Sequence, residues 1–311
     1  MVADDWNFRD RQGQVQLSHG PRLYLKASGP PRTQANAPAV VLVHGLGGTA
    51  SEWIEVQRYV SRFARVYLYE RAGYQRSDTS AIDPTCASIA AHLQSLLKAA
   101  GVVPPYLLVG HSYGGVIARQ FLADDPTLVC GMVLVDSVPV VRRFPEVWTK
   151  LLGNATYADV VGLRDNLGIS TEQYRIIDRE SQLNEGVGGI AEKELKHMSP
   201  GNQWLDDSLR GKQALGQNRL CVIFCDESND FRKVYEYGVL HGYGTAEEQE
   251  TVRQHLDSMS ADDEAAQRTQ LALSGATRFI RAEGSRATHN VHMVDPCWVA
   301  RQVQWVIDGT I

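Results

Sequence analysis

The stretch from Tyr106 to Gly115, Tyr-Leu-Leu-Val-Gly-His-Ser-Tyr-Gly-Gly, constrains this chain more than any other. Its first half is a short apolar run, as a strand buried on both faces requires. Its second half is a Gly-x-Ser-x-Gly turn, after which Val116, Ile117, Phe121 and Leu122 recur at helical spacing. The pattern predicts strand, sharp turn and helix, with Ser112 at the apex. Gly110 and Gly114 are the neighbours whose missing side chains let strand and helix pass close together. Such a turn lifts the Ser112 hydroxyl above the sheet. It also points the Tyr113 N–H, at the helix N-terminus, toward negative charge developing on a bound carbonyl oxygen.

The rest of the chain repeats the alternation. Ala39 to Val43 is a buried-strand run that ends in His44-Gly45-Leu46-Gly47-Gly48, and no Gly-Lys-Ser/Thr follows, so this loop is not a phosphate cradle of the Walker type. Arg65 to Glu70 predicts the next strand, Gly131 to Val135 another that closes on Asp136, and Leu220 to Phe224 and Thr277 to Ala282 the last two. Between them helical spacing runs from a Ser51 cap to Val60, from Ser88 to Leu97, from about Thr245 to Ser274, and in an amphipathic segment through Ile307. Strands alternating with helices at these intervals mean βαβ units and a parallel sheet. Residues 14 to 28 alternate apolar and polar around His19-Gly20-Pro21, which predicts an antiparallel hairpin at the sheet edge. From about Val138 to Gln217 the alternation stops and the apolar residues keep helical spacing only. The expected organisation is a core of residues 1–137 and 218–311 with a helical insert at 138–217.

Composition narrows the partners. Of the 311 residues 43% are hydrophobic and 22% charged, as in ordinary globular proteins. A formal charge of -5, without runs of Lys and Arg interleaved with aromatics, argues against nucleic acid. No apolar run approaches the length of a membrane span, and Met-Val-Ala-Asp-Asp-Trp lacks the basic then apolar pattern of a signal peptide. The five cysteines are scattered without a Cys-x-x-Cys pair, as buried thiols of a reducing compartment would be. A cytoplasmic location is the expectation.

The chain resembles the α/β-hydrolase fold superfamily. The resemblance is carried by Val43-His44-Gly45-Leu46-Gly47-Gly48, by Tyr69-Glu70-Arg71-Ala72-Gly73 with Arg76-Ser77-Asp78, by the Gly110-to-Gly115 turn, by Val133-Leu134-Val135-Asp136-Ser137 and by His289 to Pro296. It covers roughly residues 39–137 and 219–309. It implies a mostly parallel central sheet with helices on both faces and a mainly helical cap inserted after the sixth strand, over the serine. It also implies a nucleophilic Ser112 and an oxyanion hole made by the backbone N–H groups of Leu46 and Tyr113.

The base must be a histidine, because only imidazole accepts the serine proton near neutral pH and returns it to a leaving group. His289, seven residues before Pro296, has the spacing the superfamily shows for that residue, although Thr288 stands where a glycine is common. His292 matches a second, structural histidine, and His44 and His111 read as structural too. The acid that orients the base has two candidates that obey the order serine, acid, histidine. Asp230 matches the commonest position after the seventh strand, and Asp136 a less common one at the end of the sixth. The long acidic turn from Asp226 to Asp230 departs from the usual spacing and puts Asp136 ahead, with Asp226 and Glu227 read as turn or surface groups. Within the cap, Trp148, Tyr157, Tyr174, Met198 and Trp204 are candidates to touch substrate, the alternative being that they pack cap helices together.

The resemblance implies hydrolysis of an ester, lactone or thioester of a moderately sized hydrophobic small molecule through an acyl-enzyme, without metal or organic cofactor. Serine in place of aspartate at the turn argues against epoxide hydrolase and haloalkane dehalogenase chemistry. C–C bond hydrolysis or acyl transfer by the same residues, and a small-molecule receptor of the same fold, are the alternatives.

Overall fold

The computed structural model describes residues 6–137, 139, 146–186 and 188–310, with the side chains of residue 146 and of residues 199–204 excepted. Eight strands form one sheet: β1 (Arg11–Gln16), β2 (Arg22–Ser28), β3 (Ala39–Val43), β4 (Arg65–Tyr69), β5 (Tyr106–His111), β6 (Val129–Val135), β7 (Arg219–Phe224) and β8 (Ala276–Arg281). Their order across the sheet is β1-β2-β4-β3-β5-β6-β7-β8. The β1–β2 hairpin and its junction with β4 are antiparallel, and every other pairing is parallel.

Ten α-helices accompany the strands among the described residues: α1 (Ile54–Val60), α2 (Cys86–Ala99), α3 (Tyr113–Asp124), α4 (Tyr157–Val160), α5 (Thr171–Glu185), α6 (Ile190–Leu209), α7 (Ser228–His241), α8 (Ala246–Thr269), α9 (Val291–Val294) and α10 (Pro296–Asp308). Successive side chains of a strand point to opposite faces, and the core divides accordingly. Val41, Val43, Leu108, Met132 and Leu134 meet α2 and α3, whereas Val40, Leu42, Leu107, Val109 and Val133 meet α1 and α10. A third cluster joins Leu151, Leu163, Tyr174 and Ile177, from between β6 and β7, to Phe231 and Val234 of α7 and Leu256 and Met259 of α8. The helices that interrupt the alternation thus rest on α7 and α8.

Two local expectations differ from the structure. The cap before α1 is Thr49, whose side chain accepts from the Ser51 N–H and opens a short 3-10 turn at Ala50–Trp53. Helix α7 replaces what reads in sequence as an acidic turn. Phe231, Val234, Tyr235 and Val239 recur at helical spacing after the acidic residues, and Phe231 and Val234 are the ones it buries.

The turn at Ser112 is as tight as its glycines require. A Cβ on Gly110 would lie 2.5 Å from Gly114 O, and one on Gly114 would lie 2.1 Å from Val43 O. Both obstacles are backbone of neighbouring elements and cannot swing away. Gly114→Ala is therefore expected to destabilise the fold by about 3 kcal/mol, as overpacking against a rigid wall does. Urea unfolding checks it, and a wild-type midpoint would contradict the geometry.

Candidate active site

Strand β5 and helix α3 hold Ser112 at φ 51° and ψ -125°. Such a conformation costs a non-glycine residue about 1–3 kcal/mol and persists only when surrounding bonds over-determine it. Here the Ser112 N–H donates to Val135 O at 3.0 Å, and the Gly115 N–H donates to Ser112 O at 3.0 Å. The Tyr113 N–H belongs to the first turn of α3, whose donors have no intrahelical acceptor. Leu46, in the loop after β3, lines the same cavity as Ser112 and Tyr113.

Asp136 follows β6 with φ 44° and is buried. Its Oδ1 accepts from the Cys225 N–H at 3.1 Å and from Gln267 Nε2 at 2.8 Å, while Oδ2 lies 2.7 Å from His289 Nδ1. That contact makes Nδ1 the protonated nitrogen of the neutral ring and leaves Nε2 with the lone pair.

Asp230, the other candidate acid, is fully buried on α7 and does not bond the imidazole. Its Oδ2 accepts from Thr288 Oγ1 at 2.7 Å, from the His289 N–H at 3.4 Å and from Tyr157 Oη at 3.3 Å. Thr288, where a glycine is common, thus has a use: its hydroxyl ties the loop before His289 to α7. Glu227 is not a surface group. It precedes α7 and lines the space around Ser112 and His289. Asp226 behaves as a turn residue, with Ser228 Oγ at 2.6 Å and Arg281 at 2.5 Å.

The other histidines pack around this cluster. His111 lies between His289 and His292, with ring centroids 4.5 and 4.3 Å away, and its Nε2 sits 2.8 Å from His289 O. His292 stacks on Trp53 at 4.7 Å. Burial holds His44, His111 and His292 below the usual imidazole range, so all three are neutral at pH 7.

His289 goes the other way. Burial works against its charge, but the Glu227 carboxylate and the bond to Asp136 outweigh it and push the pKa up to about 9. Asp136 is held below its ordinary value against burial, by the hydrogen bond from His289 above all. Glu227, whose largest influence is burial, rises to about 7.

Two cavities meet at Ser112. One of about 250 Å³ lies beside Met198, Val116 and Met259. The other, of about 540 Å³, is walled by Trp148, Tyr157, Tyr174, Leu163 and Ile177. Leu46, Ser112, Glu227, Phe231 and His289 line both. Of the residues offered by the sequence, Trp148, Tyr157 and Tyr174 therefore border the larger cavity and Met198 the smaller. Trp148 also packs edge-on against Phe231, ring centroids 5.3 Å apart, so packing and lining are not exclusive roles. Trp204 lies outside the described side chains, as do residues 140–145 at the start of the insert.

Sequence reading missed Glu227, Phe231, Met259 and Gln267 as lining residues. For Gln267 there was no signal: it is one polar residue in a charged helix, and only the packing of α8 brings it to Asp136.

Among the described residues no group of three or more His, Cys, Asp and Glu side chains is arranged to hold a metal ion. No described helix is long and apolar enough to cross a membrane.

A mostly parallel eight-stranded sheet flanked by helices, with a strained serine at the turn between β5 and α3, is the architecture of an α/β hydrolase. The chain belongs to the α/β-hydrolase superfamily and is a hydrolase of that fold: it is 30% identical over 307 residues to an AB hydrolase superfamily protein of Gibberella zeae, covering 94% of this chain and 93% of that one. The family model for the alpha/beta hydrolase fold matches residues 38–176. The putative carbamate hydrolase RutD of Escherichia coli is 36% identical over 113 residues, which are 36% of this chain and 42% of that protein. Among solved structures, carboxylesterase CesB (YbfK) from Bacillus subtilis aligns with a TM-score of 0.58 at 17% identity, over 98% of this chain and 94% of that one, a likeness of fold.

Proposed function

We propose that this chain is a serine hydrolase that cleaves an ester, lactone or thioester of a moderately sized hydrophobic small molecule, with Ser112, His289 and Asp136 as its triad. The observation that carries the reading is the 2.7 Å contact between His289 Nδ1 and Asp136 Oδ2, with His289 and Ser112 on the wall of the same cavities. His289 Nε2 takes the Ser112 proton as Oγ attacks the carbonyl carbon. The N–H groups of Tyr113 and Leu46 receive the oxyanion, and Asp136 stabilises the imidazolium. The imidazolium returns its proton to the leaving group, and a water, deprotonated by the same nitrogen, hydrolyses the acyl-enzyme. The helices between β6 and β7, resting on α7 and α8, serve as the cap that shapes the pocket and excludes water. Their aromatic lining supports an apolar substrate.

The test is labelling by a fluorophosphonate probe together with hydrolysis of p-nitrophenyl esters of graded acyl length. Labelling that disappears in Ser112→Ala supports the reading. Wild-type protein that neither labels nor hydrolyses any ester overturns it.

The electrostatics adds a pH prediction. A general base must be neutral, so kcat/KM is expected to rise with pH toward a midpoint near 9, where His289 loses its proton. Glu227 and Asp136 are the anions that favour the imidazolium most, with Asp230 behind them. Removing one lowers the midpoint, so Glu227→Gln is expected to shift the profile to lower pH. An unmoved profile would mean that Glu227 does not act on His289. The same shift makes the imidazolium stabilise the fold below about pH 6.5, a contribution lost as pH rises through about 9.

A further inference from the structure

The smaller cavity beside Ser112 is lined by apolar Val116, Met198, Phe224 and Met259 and by the polar side chains of Glu227, His255, Asp263 and Gln267, among them two acceptors that the proposed mechanism leaves unused. The first is Gln267, 2% exposed. Its Nε2 donates to Asp136 Oδ1 at 2.8 Å, and an ionised carboxylate only accepts. The amide therefore cannot be turned around: the nitrogen must face Asp136, and Oε1 must face away from it. That oxygen has no hydrogen-bond partner. The second is Glu227, whose carboxylate forms no hydrogen bond or ion pair of 4.0 Å or less with any described residue, although it is largely enclosed and lines both cavities.

Buried acceptors are normally paired, so Gln267 Oε1 calls for a donor, and the partly buried Glu227 carboxylate stands on the same cavity. We propose that the smaller cavity is the subsite for a hydrogen-bond donor on the substrate, an alcohol or a primary ammonium group, held by Glu227 and Gln267 while the reacting carbonyl sits at Ser112. The inference rests on the reading of Ser112 as nucleophile and narrows its substrate class to donor-bearing acyl compounds.

The test separates binding from turnover. In the Ser112→Ala protein, calorimetry with hexylamine, 1-hexanol and hexanoate compares three head groups on one chain. The amine and the alcohol are expected to bind at least tenfold more tightly than hexanoate, in line with hydrogen bonds to buried or charged acceptors. Adding Glu227→Gln keeps the shape and an acceptor but removes the charge. It is expected to weaken the amine more than the alcohol, because only the ammonium gains from the charge. Glu227→Leu is expected to weaken both by about tenfold or more, with the far-ultraviolet circular dichroism of the isosteric variant as the folding control. Equal binding of all three probes, or an order unchanged by both substitutions, overturns the subsite. With active enzyme, p-nitrophenyl 6-hydroxyhexanoate is expected to exceed p-nitrophenyl hexanoate in kcat/KM. If no ester is cleaved and Ser112 does not label, the acyl-transfer reading falls, and the calorimetric order still decides whether the donor subsite exists.

Discussion

Ser112→Ala and His289→Ala are each expected to lower kcat for a p-nitrophenyl ester about 10⁶-fold, and the double variant hardly further, because the two groups act as one unit. Asp136→Asn is expected to cost about 10⁴-fold, since an amide at that place favours the wrong tautomer of the ring. The reason lies in the bonding of the acid. Asp136 Oδ2 meets Nδ1 at 2.7 Å, while Oδ1 is fixed from the other side by Cys225 N–H and Gln267 Nε2. The carboxylate is thus immobile before the ring charges, and stabilising the imidazolium requires no rearrangement. Asp230→Asn keeps an oxygen that can accept from Thr288 Oγ1 at the present 2.7 Å, so a loss of less than about tenfold is expected. Steady-state kinetics of the five variants decides it. If Asp230→Asn collapses activity while Asp136→Asn retains it, the acid has been assigned to the wrong strand.

How much of this was legible in the sequence follows the range of the interactions. The serine turn announces itself because its cause is local: Gly110 and Gly114 are required by contacts within a few residues and with the adjacent strand. Parallel strands such as Val40–Leu42 and Leu107–Val109 are apolar on both faces, which no exposed segment tolerates, so they too read directly. The acid reads as two candidates, with Asp136 ahead only because the acidic turn before Asp230 departs from the usual spacing. Both close on the His289 loop from buried positions, and what separates them is which side of that loop each carboxylate approaches. Glu227 was misread for a related reason. A glutamate before a charged helix is ordinarily solvated, and only the packing of α7 and α8 against the helices between β6 and β7 encloses this one. Gln267 is 131 residues from its partner Asp136, and nothing in one sequence connects them.

Glu194→Ala is expected to destabilise the protein by about 3–5 kcal/mol, because it strands a buried guanidinium. Arg71, in the loop after β4, is 2% exposed, and Glu194, on α6, is fully buried. They meet in a two-pronged pair, Arg71 Nε to Oε1 at 2.8 Å and Nη2 to Oε2 at 2.8 Å, with Tyr74 Oη on Oε2 at 2.6 Å. The same guanidinium donates to His44 O at 2.6 Å and to Gly45 O at 2.9 Å, the two carbonyls that precede Leu46. One charge therefore ties helix α6 to the loop that presents the Leu46 N–H, so disorder at the pair would propagate to the proposed oxyanion donor. Urea unfolding reads the stability, and kcat for the p-nitrophenyl ester is expected to fall with it. The pair Arg71→Met with Glu194→Leu removes both charges and leaves none stranded. It is expected to recover most of the stability, since apolar groups of similar volume often replace buried ion pairs without loss. Recovery of stability without recovery of kcat would locate the catalytic contribution of Arg71 in its grip on the His44 and Gly45 carbonyls. A Glu194→Ala protein as stable as wild type would mean that water reaches the guanidinium and that α6 does not seal this part of the site.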